Sequence, residues 1–209
     1  MGGTGAAGQE SVTDTVDGTV ARVEVDSDAG ALRLVAGDRA SVAQDLRWTG
    51  DARPQVEHRL DGDVLRITVR CPDRGGERCQ AGLVVTAPAT ASARAELAAG
   101  GIEVQGLTGA LDLRSSAGEV GGSGLGPGDV RASSSAGGVD LTFAAAAADV
   151  TAESTAGEVV VRVPVGPAYE VTAATTAGST TVQVPDQPGA DHRISARSTA
   201  GGVSVLPAA

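Results

Sequence analysis

Apolar and polar positions alternate with a period of two along most of this chain, and one recurring tetrapeptide punctuates the alternation. Val150 and Ala152, Val171 and Ala173, Ile194 and Ala196, Val130 and Ala132, and Leu111 and Leu113 are each separated by one residue, mostly polar, such as Thr151, Thr172 and Ser195. Each run leads into Ser-Ser-Ala-Gly at 115–118 and 134–137, Ser-Thr-Ala-Gly at 154–157 and 198–201, or Thr-Thr-Ala-Gly at 175–178. After the glycine the alternation resumes at Val139 and Leu141, Val159 and Val161, Thr180 and Val182, and Val203 and Val205. Alternation of this kind marks a half-buried strand. Each unit therefore reads as strand, tight Ala-Gly turn, strand. The glycines recur about every 20 residues, a period that points to stacked structural units.

Stacking such units places each strand beside its copy in the next, which predicts parallel sheets and, from the handedness of parallel crossovers, a right-handed winding. The fold class expected is all-β: a right-handed β-solenoid, or parallel β-helix. Val150, Val159, Val161, Val171, Val182 and Ile194 are expected to point inward. The turn glycines Gly30, Gly118, Gly137, Gly157, Gly178 and Gly201 are expected where the corner needs positive φ or leaves no room for Cβ. Ser154, Thr175 and Ser198 should turn inward beside them, their hydroxyls bonded to backbone or to one another.

The pattern weakens upstream. Leu97, Gly100, Ile102 and Val104 form a poorer copy, and Val23, Val25, Ser27, Gly30, Leu32 and Leu34 fit the same frame. Between these copies, residues 56–69 read as a hairpin around Asp61-Gly62. Residues 83–86 read as a strand stopped by Pro88. The five alanines of 144–148 are too few to nucleate a helix and read as the corner of one coil. The expected organisation is a flexible leader over 1–12, a less regular β region over 13–92, and regular coils over 93–209 continuous with it.

Composition supports a thin interior. Trp48, Phe143 and Tyr169 are the only aromatic residues, whereas Val, Ala, Ser and Thr suffice for a flattened coil. All basic residues are arginine, and the net charge is −10. That balance argues against nucleic acid, whose phosphates demand a basic face, and against docking on anionic lipid. No apolar run is long enough to span a membrane.

Cys71 and Cys79 flank a polar, turn-rich loop. A disulfide is expected there, with two free thiols as the alternative, and its presence would place the chain outside the cytosol. An anchor or signal is then expected to be absent from this chain, and a cytoplasmic location is the alternative. No Cys or His cluster suggests a metal, and no cofactor is expected.

Other motifs read as structure first. Gly3, Gly5 and Gly8 match a dinucleotide pattern without the strand and helix that pattern needs. Residues 121–126 resemble a calcium-binding nonapeptide, but Gly126 replaces the liganding aspartate. Asp191-His192 and His58 offer little for a catalytic triad. Glu119 and Glu158 share one repeat position and read as a solvated edge, with a glycosidase pair as the alternative.

The Ser-Thr-Ala-Gly-Glu-Val unit of 154–159 and the Leu-Val-Val-Thr-Ala-Pro run of 83–88 make the chain resemble the bacterial putative-adhesin family of β-strand-repeat proteins. The resemblance covers about Val16 to Val205. It implies a cell-envelope location and no catalytic residues. The function expected is a non-enzymatic, adhesin-like surface module presenting flat β faces to a protein, glycan or wall polymer. A polysaccharide-acting enzyme is the alternative, as is an ice-binding face built on Ser116, Ser135, Thr155, Thr176 and Thr199. The strand at 203–205 is expected to form the uncovered end of the coils and to support weak self-association.

Overall fold

The computed structural model describes residues 7–72 and 77–208. Among the described residues every regular element is a strand. The N-terminal part holds β1 (Ala7–Thr15), β2 (Arg22–Ser27), β3 (Leu32–Ala36), β4 (Ser41–Thr49), β5 (Gln55–Asp61), β6 (Val64–Arg70) and β7 (Cys79–Ala87). Twelve more follow as six pairs. They are β8 (Ser92–Leu97) with β9 (Ile102–Gln105), β10 (Leu111–Ala117) with β11 (Val120–Leu125), and β12 (Val130–Ala136) with β13 (Val139–Phe143). The last three pairs are β14 (Asp149–Ala156) with β15 (Val159–Val163), β16 (Tyr169–Ala177) with β17 (Thr180–Val182), and β18 (His192–Ala200) with β19 (Val203–Pro207).

The strands form two mixed sheets, neither closed on itself. One runs β1-β4-β7-β3-β9-β11-β13-β15-β19-β17, the other β16-β18-β14-β12-β10-β8-β2-β6-β5. The two members of each pair lie in different sheets, and each strand of the central stack pairs in parallel with copies of itself. Antiparallel pairing is confined to β1 with β4, β4 with β7, and the hairpin of β5 and β6. The hairpin closes at Gly62, whose φ of +64° suits only glycine at such a turn. Residues 7–12, expected to be leader, form the first part of β1. The strand is held there by its antiparallel ladder with β4.

The core lies between the sheets. In the second sheet Ala95, Leu113, Ala132, Ala152 and Ala196 stand in register. The first sheet contributes Val104, Leu141, Val161 and Val205 at the corresponding depth, and all of these side chains are buried. Burying one valine side chain is worth about 1.5–3 kcal/mol, so the narrow interior gains its stability by repetition. Val150, Val159, Val161 and Ile194 point inward. Val182 shares their inward register, opposite Val205, but is 41% exposed, and Val171 is only half-buried. Their strands, β17 and β16, are the outermost of their sheets, so among the described residues no further strand stacks on their far side.

That finding also corrects the position of the stack's end. β18 and β19 do not follow β16 and β17 in space; they sit between that pair and β14 and β15. The strand at 203–207 is therefore paired on both sides, and the uncovered edge belongs to residues 169–182.

The corners explain the tetrapeptide. At Gly137 a Cβ would strike the carbonyl oxygen of Gly118 in the neighbouring coil, and the backbone there has a φ of +152°. The same carbonyl accepts a hydrogen bond from the buried Ser134 hydroxyl at 2.7 Å. The arrangement repeats for Ser115 on Gly100, Ser154 on Gly137, Ser198 on Gly157 and Thr175 on Gly201. Gly30, Gly100, Gly118, Gly157, Gly201 and Gly178 continue the column. Glycine lets the coils approach, and the hydroxyl satisfies the carbonyl that the approach buries.

Two results are expected from thermal denaturation. Val161→Asp should cost several kcal/mol by burying an unpaired charge, whereas Thr155→Asp, on the exposed face, should be nearly neutral. Gly137→Ala should destabilise more than Ser134→Ala, which leaves one carbonyl unsatisfied at a cost of about 1–3 kcal/mol. Equal melting temperatures within either pair would contradict the assignment of faces or of the corner.

Candidate binding faces

With the interior closed, the chemistry available to a partner lies on the two outer sheet surfaces. Their outward residues come from the polar positions of the alternation, so sequence register decides what each surface offers.

Across the ten-stranded sheet, one outward row reads Thr13, Ala43, Val84, Arg33, Glu103 and Gly121. The next contains Ser11, Asp45 and Gly82, with Ala31, Gly101 and Glu119 further along. Glycine and alanine at these positions leave the surface low, and the sheet dips into an open trough of about 740 Å³. Val84 stands in it with 42% of its surface exposed. The rim is mainly acidic. Arg33 pairs with Glu103 at 3.7 Å and Asp45 with Arg47 at 2.8 Å. Among the described residues no cation lies within ion-pair distance of Glu119. Of the strands under the trough, β4, β7, β3, β9 and β11 are paired on both sides, so a ligand over them would meet side chains rather than free backbone groups, and only β1, at the margin, is an edge strand. An apolar floor with carboxylates around it suits a ligand carrying aliphatic and cationic groups.

The nine-stranded sheet presents a different surface. In spatial order Ser116, Ser135, Thr155, Thr199 and Thr176 form one exposed hydroxyl column near the corner. The next outward column is Arg114, Ser133, Glu153, Arg197 and Ala174, with Glu153 and Arg197 paired at 3.7 Å. The second regular hydroxyl column that an ice-matching face would require is thus replaced by charges.

Cys71 and Cys79 are joined, with S–S 1.99 Å and Cα atoms 5.8 Å apart. The base of their loop is tied to the sheet by charge. Both terminal guanidinium nitrogens of Arg70, Nη1 and Nη2, donate to the Asp26 carboxylate at 2.9 Å, and the Cys71 N–H donates to Asp28 Oδ2 at 3.0 Å. The Arg70 hydrogen bonds hold the Asp26 carboxyl below its ordinary range, against a smaller opposing effect of burial. Tyr169 is pushed the other way by burial, while its hydroxyl donates to the Pro164 carbonyl at 2.8 Å.

The remaining sequence candidates do not come together. His58 lies on β5 near Asp14, at 3.8 Å, whereas His192 on β18 bonds the Ala147 carbonyl near the opposite end of the stack. Glu119 and Glu158 share a corner column but lie two coils apart, with Gly138 between them. In the 121–126 segment, Leu125 occupies the space beside Gly122, and Thr108 packs where a Gly126 side chain would lie. Those glycines are steric. Of the dinucleotide-like glycines, Gly8 faces the Trp48 ring, and Gly3 and Gly5 lie outside the described residues. Among the described residues no three His, Cys, Asp or Glu side chains gather as a metal site, and no helix is long and apolar enough to cross a membrane. Only the trough escaped sequence reasoning. Its signal, small residues at outward positions, becomes legible once the strand order is known.

Two crystal structures share this fold. A putative cell adhesion protein from Clostridium sporogenes superposes with a TM-score of 0.56 at 10% identity, over 96% of this chain and 100% of that one. A putative adhesin from Bacteroides fragilis superposes with a TM-score of 0.52 at 12% identity, over 95% and 97% of the two chains. At such identities the likeness concerns the fold alone. No family model matches the chain, and no curated protein matches it.

The Asp26–Arg70 pair has a pH signature. A carboxyl whose folded pKa is depressed below about 3.9 contributes stability that is present above that value and lost as pH falls through the folded pKa. The melting temperature of the parent should therefore fall more steeply on acidification below about pH 4 than that of Arg70→Ala. Parallel acid profiles for the two proteins would contradict the assignment.

Proposed function

We propose that this chain is a right-handed β-solenoid acting as a non-enzymatic, adhesin-like interaction module of the cell envelope, with the trough around Val84 as its contact surface. The trough carries the reading. It is the one broad depression with an apolar floor among those on the described surface, and its floor crosses β4, β7, β3, β9 and β11, each paired on both sides. A rigid, shallow, acid-rimmed surface suits recognition of an extended partner better than chemistry, which needs converging groups in a closed cleft. Its chemistry favours a protein segment bearing aliphatic and basic side chains over a neutral glycan, for which stacked aromatic rings would be expected.

Three further observations support the setting. The names of the two similar structures refer to adhesion. The Cys71–Cys79 disulfide suits an oxidising, extracytoplasmic compartment. The parallel stacking of strand pairs at a period of about 20 residues suits a solenoid, in which the regular part over 93–209 continues directly from the earlier strands.

Binding of immobilised protein to three probe classes tests the proposal: a panel of basic amphipathic peptides, wall polymer and neutral oligosaccharides. The peptides are expected to bind. Val84→Arg, which fills the floor and introduces a like charge, should weaken them about tenfold or more, with an unchanged melting temperature. Thr155→Arg on the opposite sheet should leave binding intact. Binding that ignores Val84→Arg, or release of reducing ends from a polysaccharide, would overturn the proposal.

A further inference from the structure

The two ends of the stack are finished differently. At one end the outermost strands are β1 and β5. Both are studded with charge: Glu10 and Asp14 on β1, and Glu57, Arg59 and Asp61 on β5. The chain also crosses that end between β4 and β5, where Ala52 and Pro54 are buried. Charged edge strands and a covering segment are the usual defences against unwanted strand pairing.

The other end lacks those defences. Its outermost strands are β16 and β17, and the stretch from Val171 to Pro185 contains no charged residue. The returning segment covers only the start of β16. There the Val171 N–H donates to Asp186 Oδ1 at 2.9 Å, and the Gln187 N–H donates to the Tyr169 carbonyl at 2.8 Å. Backbone groups alternate in direction along a parallel strand. Those of Ala173 and Thr175 therefore face outward like those of Val171. On β17, Ser179 and Gln183 bond to β19, so Thr180 and Val182 present their backbone groups to the outside. The inward side chains of this coil are uncovered as well: Val182 is 41% exposed, and Val171 and Ala173 are half-buried.

We propose that this end is a dimerisation surface, occupied by the same end of a second copy of the chain. A two-fold axis perpendicular to the sheets would bring β16 against β16 and β17 against β17, antiparallel, continuing both sheets across the junction. The same groups would be satisfied on both sides, as an isologous contact requires. Charge selects this arrangement. Two chains of net charge −10 repel, and the neutral end is where that repulsion is least. Joining the open end to the opposite end would set it against the segment that already crosses there, with Ala52 and Pro54 buried beneath it, and beside the charge-bearing strand β5. The contact is therefore tail to tail and closes at two copies.

Thr172 and Ala174 lie on the exposed outer surface of β16, so charges placed there leave the core untouched. Sedimentation equilibrium from micromolar to submillimolar concentration should show a monomer–dimer equilibrium for the parent protein. The double variants Thr172→Glu with Ala174→Glu, and Thr172→Lys with Ala174→Lys, should each associate about tenfold more weakly, because like charges face across the new pairing. An equimolar mixture of the two should recover association. Ser116→Glu with Ser135→Glu, remote from the edge, controls for net charge and should associate like the parent. A parent that stays monomeric throughout overturns the proposal. So does a dimer that both edge variants retain, or a pair of folded variants that fail to associate when mixed.

Discussion

Everything in this architecture depends on how closely one coil can lie upon the next at the corner. Strands in adjacent coils are held about 4.8 Å apart by their hydrogen bonds. At the corner the chain must leave one sheet and enter the other without widening that spacing. Glycine meets the demand sterically, because any Cβ at Gly137 or its counterparts would enter the carbonyl of the coil below. Serine meets it electrostatically. The carbonyl is sealed from water by the same approach, and a hydroxyl 2.7–2.9 Å away restores its partner. A smaller residue in place of the serine would leave the carbonyl unpaired, and a larger one in place of the glycine would separate the sheets.

Because the corners at Gly118, Gly137, Gly157, Gly178 and Gly201 repeat one geometry, the strand pairs they join are alike in shape, and chain order need not equal spatial order. β18 and β19 occupy the place between β14–β15 and β16–β17, and β2 and β3 lie between β6–β7 and β8–β9. The stack is thus interleaved near both ends, which ties chain segments distant in sequence into one pairing network. Its two finishes differ, one charged and crossed by chain, the other neutral and open. The asymmetry separates the roles of the surface: the ends govern association between copies, and the faces remain for other partners.

The faces acquire their character from residues that the core does not constrain. Inward positions are mostly small or branched and apolar, with Phe143, Tyr169 and the corner serines as the exceptions. Outward positions tolerate anything, and across β4, β7, β3, β9 and β11 they hold glycine and alanine flanked by carboxylates. The result is the trough around Val84. On the opposite sheet the same freedom yields hydroxyls and ion pairs, which are individually weak in water and leave that face well solvated.

The all-β class, the position of the glycine corners, the inward serines and the hairpin at Gly62 were all legible in residue order, because each is set by contacts of a strand with its immediate copy. The period of two settles which side chains turn inward, and the tetrapeptide marks the turns. Tertiary structure alone decided which copies are neighbours. Val182 and Val205 carry the same local pattern, yet one is exposed and the other buried, because β19 lies within the sheet and β17 at its edge. Likewise Gly82, Ala31 and Gly101 are unremarkable along the chain and form a trough only when β7, β3 and β9 stand side by side. Local alternation encodes the inside and outside of a strand; the order in which equivalent strands assemble is a property of the whole stack, and it determines the surface that other molecules meet.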